Sequence, residues 1–203
     1  MNDPIRYVTG LDLGQAADLT ALAVLEKTTG PDPYDPSRKA KYYAVRHLER
    51  FVPGTSFPAV CTRLHELFSE TPLRHSNLVV DQTAVGEPVV RLLRRARLRA
   101  TIRPVTITAG WQAVINEDGS WSVPKKDLVS TLQVLLQSRR MKVAPGLREA
   151  KTLVQELMSF RVKASLSPSE TLESWRDGPH DDLVLAVAIA AWQGERLLEF
   201  WMR

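Results

Sequence analysis

Residues 178–192 read GPHDDLVLAVAIAAW. From Leu183 to Trp192 the run is apolar and rich in Ala and Leu, which predicts a buried helix. Asp181 and Asp182 then stand in its first turn, with His180 directly before them. Carboxylates are favoured there by the helix dipole and by N–H groups that lack intrahelical partners, but capping requires only one of the two. The pair is either a cap with an extra acid or part of a site, and the acids upstream bear on the choice.

The segment 77–81, NLVVD, is short and almost wholly apolar. It predicts a parallel strand covered on both faces, with Asp81 at its C-terminal end, where α/β sheets carry function. Residues 6–14, RYVTGLDLG, alternate as a strand, with Val8, Gly10 and Asp12 on one side. Aspartate is disfavoured inside strands, so Asp12 is either an edge residue facing water or an acid kept for chemistry. A turn at 14–18, containing Asp18, leads to a second strand at 19–27, expected to return antiparallel.

Further along, 28–38 is dense in Pro, Gly and Asp and predicts a surface loop. A third strand at 41–51 completes an antiparallel meander. Apolar spacing predicts helices at 57–70, 89–97, 125–139 and 147–160. Strands are expected at 100–108 and 141–144, with a β-hairpin at 111–123 turning through Glu117-Asp118-Gly119-Ser120. Residues 161–177 are expected to hold two short strands around a loop at 165–169. Pro88 suits the first turn of its helix, and Gly86 before it either makes the turn or lets a backbone approach closely. His65 is expected at a helix surface.

With 203 residues, residues 1–203 are expected to form a single domain with a substantial core. Cys61 is the one cysteine, which excludes an internal disulfide and a Cys-based zinc site. The apolar run is too short for a membrane span and no signal-peptide pattern opens the chain, so a soluble, intracellular protein is expected. Net charge is +4 and the pI about 9.4, which favours a polyanionic partner. Arginines crowd 91–99, with further basic clusters at Lys125-Lys126 and 139–142. Arg91, Arg94 and Arg95 share one helix face, either a solvated surface or a phosphate contact.

The element order predicts a mixed α/β sheet flanked by helices. If the first strand lies beside 77–81, Asp12 and Asp81 approach each other, and the last helix brings Asp181 and Asp182 to the same corner. Converging carboxylates repel severely unless cations lie between them. Oxygen ligands without cysteine point to Mg2+ or Mn2+, and two such ions about 4 Å apart suit phosphodiester hydrolysis.

The segments TGLDLGQAADLTALAVLE, LVVDQTAVGEPVVRLL, PKKDLVSTLQVLLQ and GPHDDLVLAVAIAAW resemble the C-terminal nuclease domain of tailed-phage terminase large subunits, a ribonuclease H-like, RuvC-type nuclease. The resemblance runs from about Arg6 to about Trp192. It implies an endonuclease that cuts concatemeric double-stranded viral DNA with little sequence preference. Asp12 would be the central ligand of both metals, Asp81 the second acid, and Asp181 with Asp182 the third group. Asp18 and His180 would be secondary, Lys125, Lys126, Arg91, Arg94 and Arg95 would contact DNA, and the hairpin would lie near the DNA-binding face. Portal protein, small terminase subunit and an ATPase domain would be the partners, in the cytoplasm of an infected bacterium. No GxxxxGK[ST] loop occurs, so the chain is expected to be either a separately produced nuclease domain or a small protein whose motor is encoded elsewhere. A junction resolvase of the RuvC kind would share the carboxylates, and a non-catalytic DNA-binding or motor-docking module would use them only as caps. An actin-like nucleotide-binding fold would need more glycine and more length.

Overall fold

The computed structural model describes residues 6–14, 19–83, 85–166 and 181–196, with 160–166 as backbone only. Among these residues the chain runs β1 (Arg6–Asp12), β2 (Ala21–Pro31), β3 (Lys39–Arg50), α1 (Phe57–Ser69), β4 (Asn77–Asp81), α2 (Glu87–Arg95), β5 (Thr101–Thr108), β6 (Val114–Ile115), β7 (Trp121–Pro124), α3 (Lys125–Gln137), β8 (Met141–Val143), α4 (Ala150–Leu166) and α5 (Asp182–Arg196).

All eight strands form one sheet in the order β6-β7-β5-β4-β1-β2-β3-β8. The meander β1-β2-β3 is antiparallel, whereas β4, β5 and β7 continue from β1 in parallel. This is the expected mixed sheet, an antiparallel meander continued by parallel strands, with the expected β-hairpin at its β6 end. Two apolar cores lie on its two faces. One gathers Leu11, Leu22, Leu78 and Val80 with Leu64 and Phe68 of α1 and Leu93 of α2. The other gathers Val8, Ala23, Val79 and Val105 with α3, α4 and nearly every residue of α5 from Leu183 to Trp192.

Two elements differ from expectation, and one open alternative is resolved. Strand β2 continues through Pro31, because Thr28 to Pro31 pair with Lys39 to Tyr42 of β3; the long antiparallel ladder overrides turn propensity, and Pro31 lies beyond the β1–β2 pairing, which reaches only Lys27, so among the described residues this end of β2 is an edge, where proline is tolerated. Helix α4 continues to Leu166, so residues 161–166 are helical, including the first two residues of the loop expected at 165–169, and the rest of that loop and the second short strand lie outside the described residues. Gly86 adopts φ +69° as the residue before α2. An added Cβ would meet only Pro88 there, at 3.5 Å, so this glycine serves the left-handed turn rather than a close approach. His65 is exposed on α1, as expected.

Candidate active site

Asp12 closes β1 and Asp81 closes β4, and the parallel register sets them directly opposite each other. Neighbouring strands are about 4.8 Å apart. Side chains alternate along a strand, so Asp12 shares the face of Val8, and Asp81 that of Val79. Both valines belong to the core beneath α5. The two carboxylates therefore face α5, 8% and 3% exposed. β1 is an interior strand between β2 and β4, which removes the reading of Asp12 as an edge residue facing water.

Gly10 brings the helix down onto them. A Cβ at this position would stand 1.9 Å from the Ala186 carbonyl oxygen and 2.8 Å from its carbon, so α5 rests on bare strand backbone. From Gly10 to Asp12 the strand rises about 7 Å, and from Ala186 back to Asp181 the helix rises about 7.5 Å. Asp181, 6% exposed, thus stands level with the Asp12–Asp81 pair. Its carbonyl accepts Leu185 N–H at 2.9 Å, making it the residue that begins α5.

Asp182 is engaged differently. Its Oδ2 lies 3.9 Å from the guanidinium of Arg50, the last residue of β3. Arg50 also donates to Glu156 Oε1, while Glu156 Oε2 accepts Val184 N–H at 3.0 Å. Glu156 is 5% exposed. Burial pushes its carboxyl up to about 7; the Val184 N–H and Arg50 pull it down, and Asp182 and Asp181 add to the rise. Sequence reasoning missed Glu156, Arg50 and Gly10. The available signal for Glu156 was its place three residues after Leu153 and six after Ala150, on the buried side of α4.

Asp81 has local partners of its own. Its Oδ1 accepts the Thr83 N–H at 2.8 Å and the Thr83 hydroxyl, and Thr83 Oγ1 in turn accepts Ile107 N–H at 2.7 Å. Among the described residues no group of three or more His, Cys, Asp or Glu closes on one metal position. The donor chemistry nonetheless fits a hard divalent cation: two buried carboxylates side by side and a third level with them, all oxygen.

The basic residues divide between places. Lys125 and Lys126 open α3 directly beyond β7, on the sheet edge where β1 and β4 end. Lys126 Nζ sits 4.3 Å over the ring of Trp111, which is 84% exposed. Arg91, Arg94 and Arg95 are exposed on α2, but α2 runs away from this edge and Arg94 and Arg95 occupy its last turn. Arg91 lies 3.7 Å from Glu87. In the cluster at 139–142, Arg140 is committed internally, to Glu195 at 3.2 Å and the Lys41 carbonyl at 3.1 Å. Asp18 and His180 lie outside the described residues.

No protein-family model and no curated protein matches this chain. Solved structures do. The large terminase nuclease from thermophilic phage G20c with bound magnesium aligns over 93% of this chain and 82% of its own, at 22% identity and a TM-score of 0.58. The same nuclease with bound zinc gives 23% identity and a TM-score of 0.57 over 93% and 81%. The HK97 bacteriophage large terminase aligns over 95% of this chain at 13% identity and a TM-score of 0.50, and this chain spans 40% of it. At these identities the likeness shows the fold, which is that of the terminase nucleases.

Proposed function

We propose that this chain is a divalent-metal-dependent endodeoxyribonuclease that cuts concatemeric double-stranded viral DNA during genome packaging in an infected bacterium. The observation that carries the reading is the in-register pair Asp12 and Asp81 beneath the first turn of α5, level with Asp181. Two carboxylates buried side by side repel strongly, and a cation between them is the natural neutraliser. The terminase nuclease fold, and a member of it bound to magnesium, support the same reading.

Asp12, Asp81 and Asp181 would hold Mg2+ or Mn2+, two ions by the family's likeness. Such ions supply a water acidified toward neutral pH and charge stabilisation at the leaving oxygen. The chain's own groups do the rest. Asp81 would exchange its bond to Thr83 for the cation, while the Thr83 hydroxyl keeps its bond from Ile107 N–H and so keeps the loop after β4 in place. Lys125, half-buried, and Lys126, exposed, lie on the same edge and would hold flanking phosphates. Arg91, Arg94 and Arg95 would contact duplex further from the scissile bond. Portal, small terminase subunit and an ATPase domain would direct the cutting.

Supercoiled plasmid incubated with wild type and with Asp12→Asn, each in Mn2+, Mg2+ or EDTA, tests this. Nicking and linearisation by wild type with either metal, abolished by EDTA and by the substitution, are expected. Equal cutting by Asp12→Asn would overturn the reading.

A further inference from the structure

We propose that Glu156 and Arg50 form a positioning clamp for the acid corner: Glu156 seats the first turn of α5 through Val184 N–H, and Arg50 draws Asp182 aside, leaving Asp181 to serve the cation. The inference rests on the metal-dependent nuclease reading above.

The buried side of α4 reads Ala150, Leu153, Glu156, at 9%, 0% and 5% exposure. The third position puts a carboxylate where packing alone favours an apolar residue. Burying a carboxylate is costly unless its oxygens are bonded. Both are: Oε2 accepts Val184 N–H at 3.0 Å and Oε1 accepts from Arg50. Val184 is the third residue of α5, and its amide is one that a helix ordinarily satisfies with the side chain of its own capping residue. That capping residue is Asp181, and the acceptor for Val184 comes from α4 instead. Arg50 ends β3 on the edge where β1 and β4 end. Its guanidinium meets Glu156 and stands 3.9 Å from Asp182 Oδ2. One arginine thus distinguishes two consecutive acids: Asp182 leans on Arg50, while Asp181 is level with Asp12 and Asp81.

The test compares Glu156→Gln, which keeps the length and an acceptor oxygen for Val184, with Glu156→Asp, which keeps the charge but is one methylene shorter. Mn2+ binding is measured by titration calorimetry on the intact chain, alongside duplex affinity in EDTA and thermal melting. Positioning predicts Mn2+ affinity within about threefold of wild type for Gln and a loss of about ten- to a hundredfold for Asp, with duplex affinity unchanged in both. It also predicts that Asp181→Asn loses the site and that Asp182→Asn stays within about threefold. A reversed ranking, with Asp equal to wild type and Gln weakened, would overturn the clamp, as would Asp182→Asn proving as damaging as Asp181→Asn. Should Glu156→Asp fail to fold, the Asp181 and Asp182 comparison decides alone. Mn2+ uptake lost in Asp181→Asn but unchanged by either Glu156 substitution overturns the clamp and spares the nuclease reading. No Mn2+ uptake by wild type overturns both.

Discussion

The two faces of β1 and β4 are built from alternate residues of the same strands, and they have opposite characters. Toward α1 and α2 point Leu11, Leu78 and Val80, which join an apolar core. Toward α5 point Gly10, Asp12 and Asp81, a bare backbone position and two buried acids. One face is packed for stability. The other gives up side-chain volume at Gly10 to bring a helix close, and the start of that helix carries the next acid. A single-residue step along a strand is enough to pass from scaffold to site, because side chains alternate with a period of two.

Substitutions one residue apart should therefore do different things. The largest effect belongs to Asp12→Asn, where cleavage should fall at least about a thousandfold, roughly 4 kcal/mol in the barrier. Next comes Gly10→Ala, which removes no acid but drives a methyl into the Ala186 carbonyl. Displacing α5 by about 1 Å should cost about a hundredfold in cleavage and roughly 1–3 kcal/mol in stability. Leu11→Ala, on the opposite face, should cost about 2–5 kcal/mol of stability, measured by urea denaturation, yet leave the turnover of the folded fraction unchanged. Equal turnover in Gly10→Ala and wild type would erase the contrast between the faces.

Glu156 sharpens the contrast through pH. Its folded value of about 7 lies above the 4.5 of the unfolded chain, so the folded state binds this proton more tightly. The stability it lends is complete below pH 4.5 and is lost as pH rises toward 7. In cation-free buffer the melting temperature of wild type should fall relative to that of Glu156→Gln between pH 5 and pH 8; parallel curves would contradict the burial argument. The smallest effect is at the rim. Lys126→Ala should weaken duplex binding only modestly and lower the slope of log affinity against log salt by about one.

Much of this arrangement was legible because it is local. The alternation in 6–14 and the apolar run in 77–81 marked both strands, and each run placed its acid at or near its end. Their adjacency entered the sequence reading only as a condition, and the register meets it. What could not be read was non-local. Glu156 and Arg50 are 106 residues apart, and nothing in either segment announces the other. Gly10 in a strand reads equally as a bulge or a close approach until the helix above it is known. Asp181 and Asp182 look interchangeable as letters; Arg50, contributed by a distant strand, distinguishes them. The extension of β2 through Thr28-Thr29-Gly30-Pro31 shows tertiary pairing overriding local turn chemistry.

Anomalous scattering from crystals soaked in Mn2+ tests the central claim most directly. The account predicts a manganese peak bounded by the carboxylates of Asp12, Asp81 and Asp181, with Asp81 drawn from Thr83 and Asp182 still against Arg50. No peak at the ends of β1 and β4, with the Asp81 carboxylate still on Thr83 at saturating Mn2+, would contradict it.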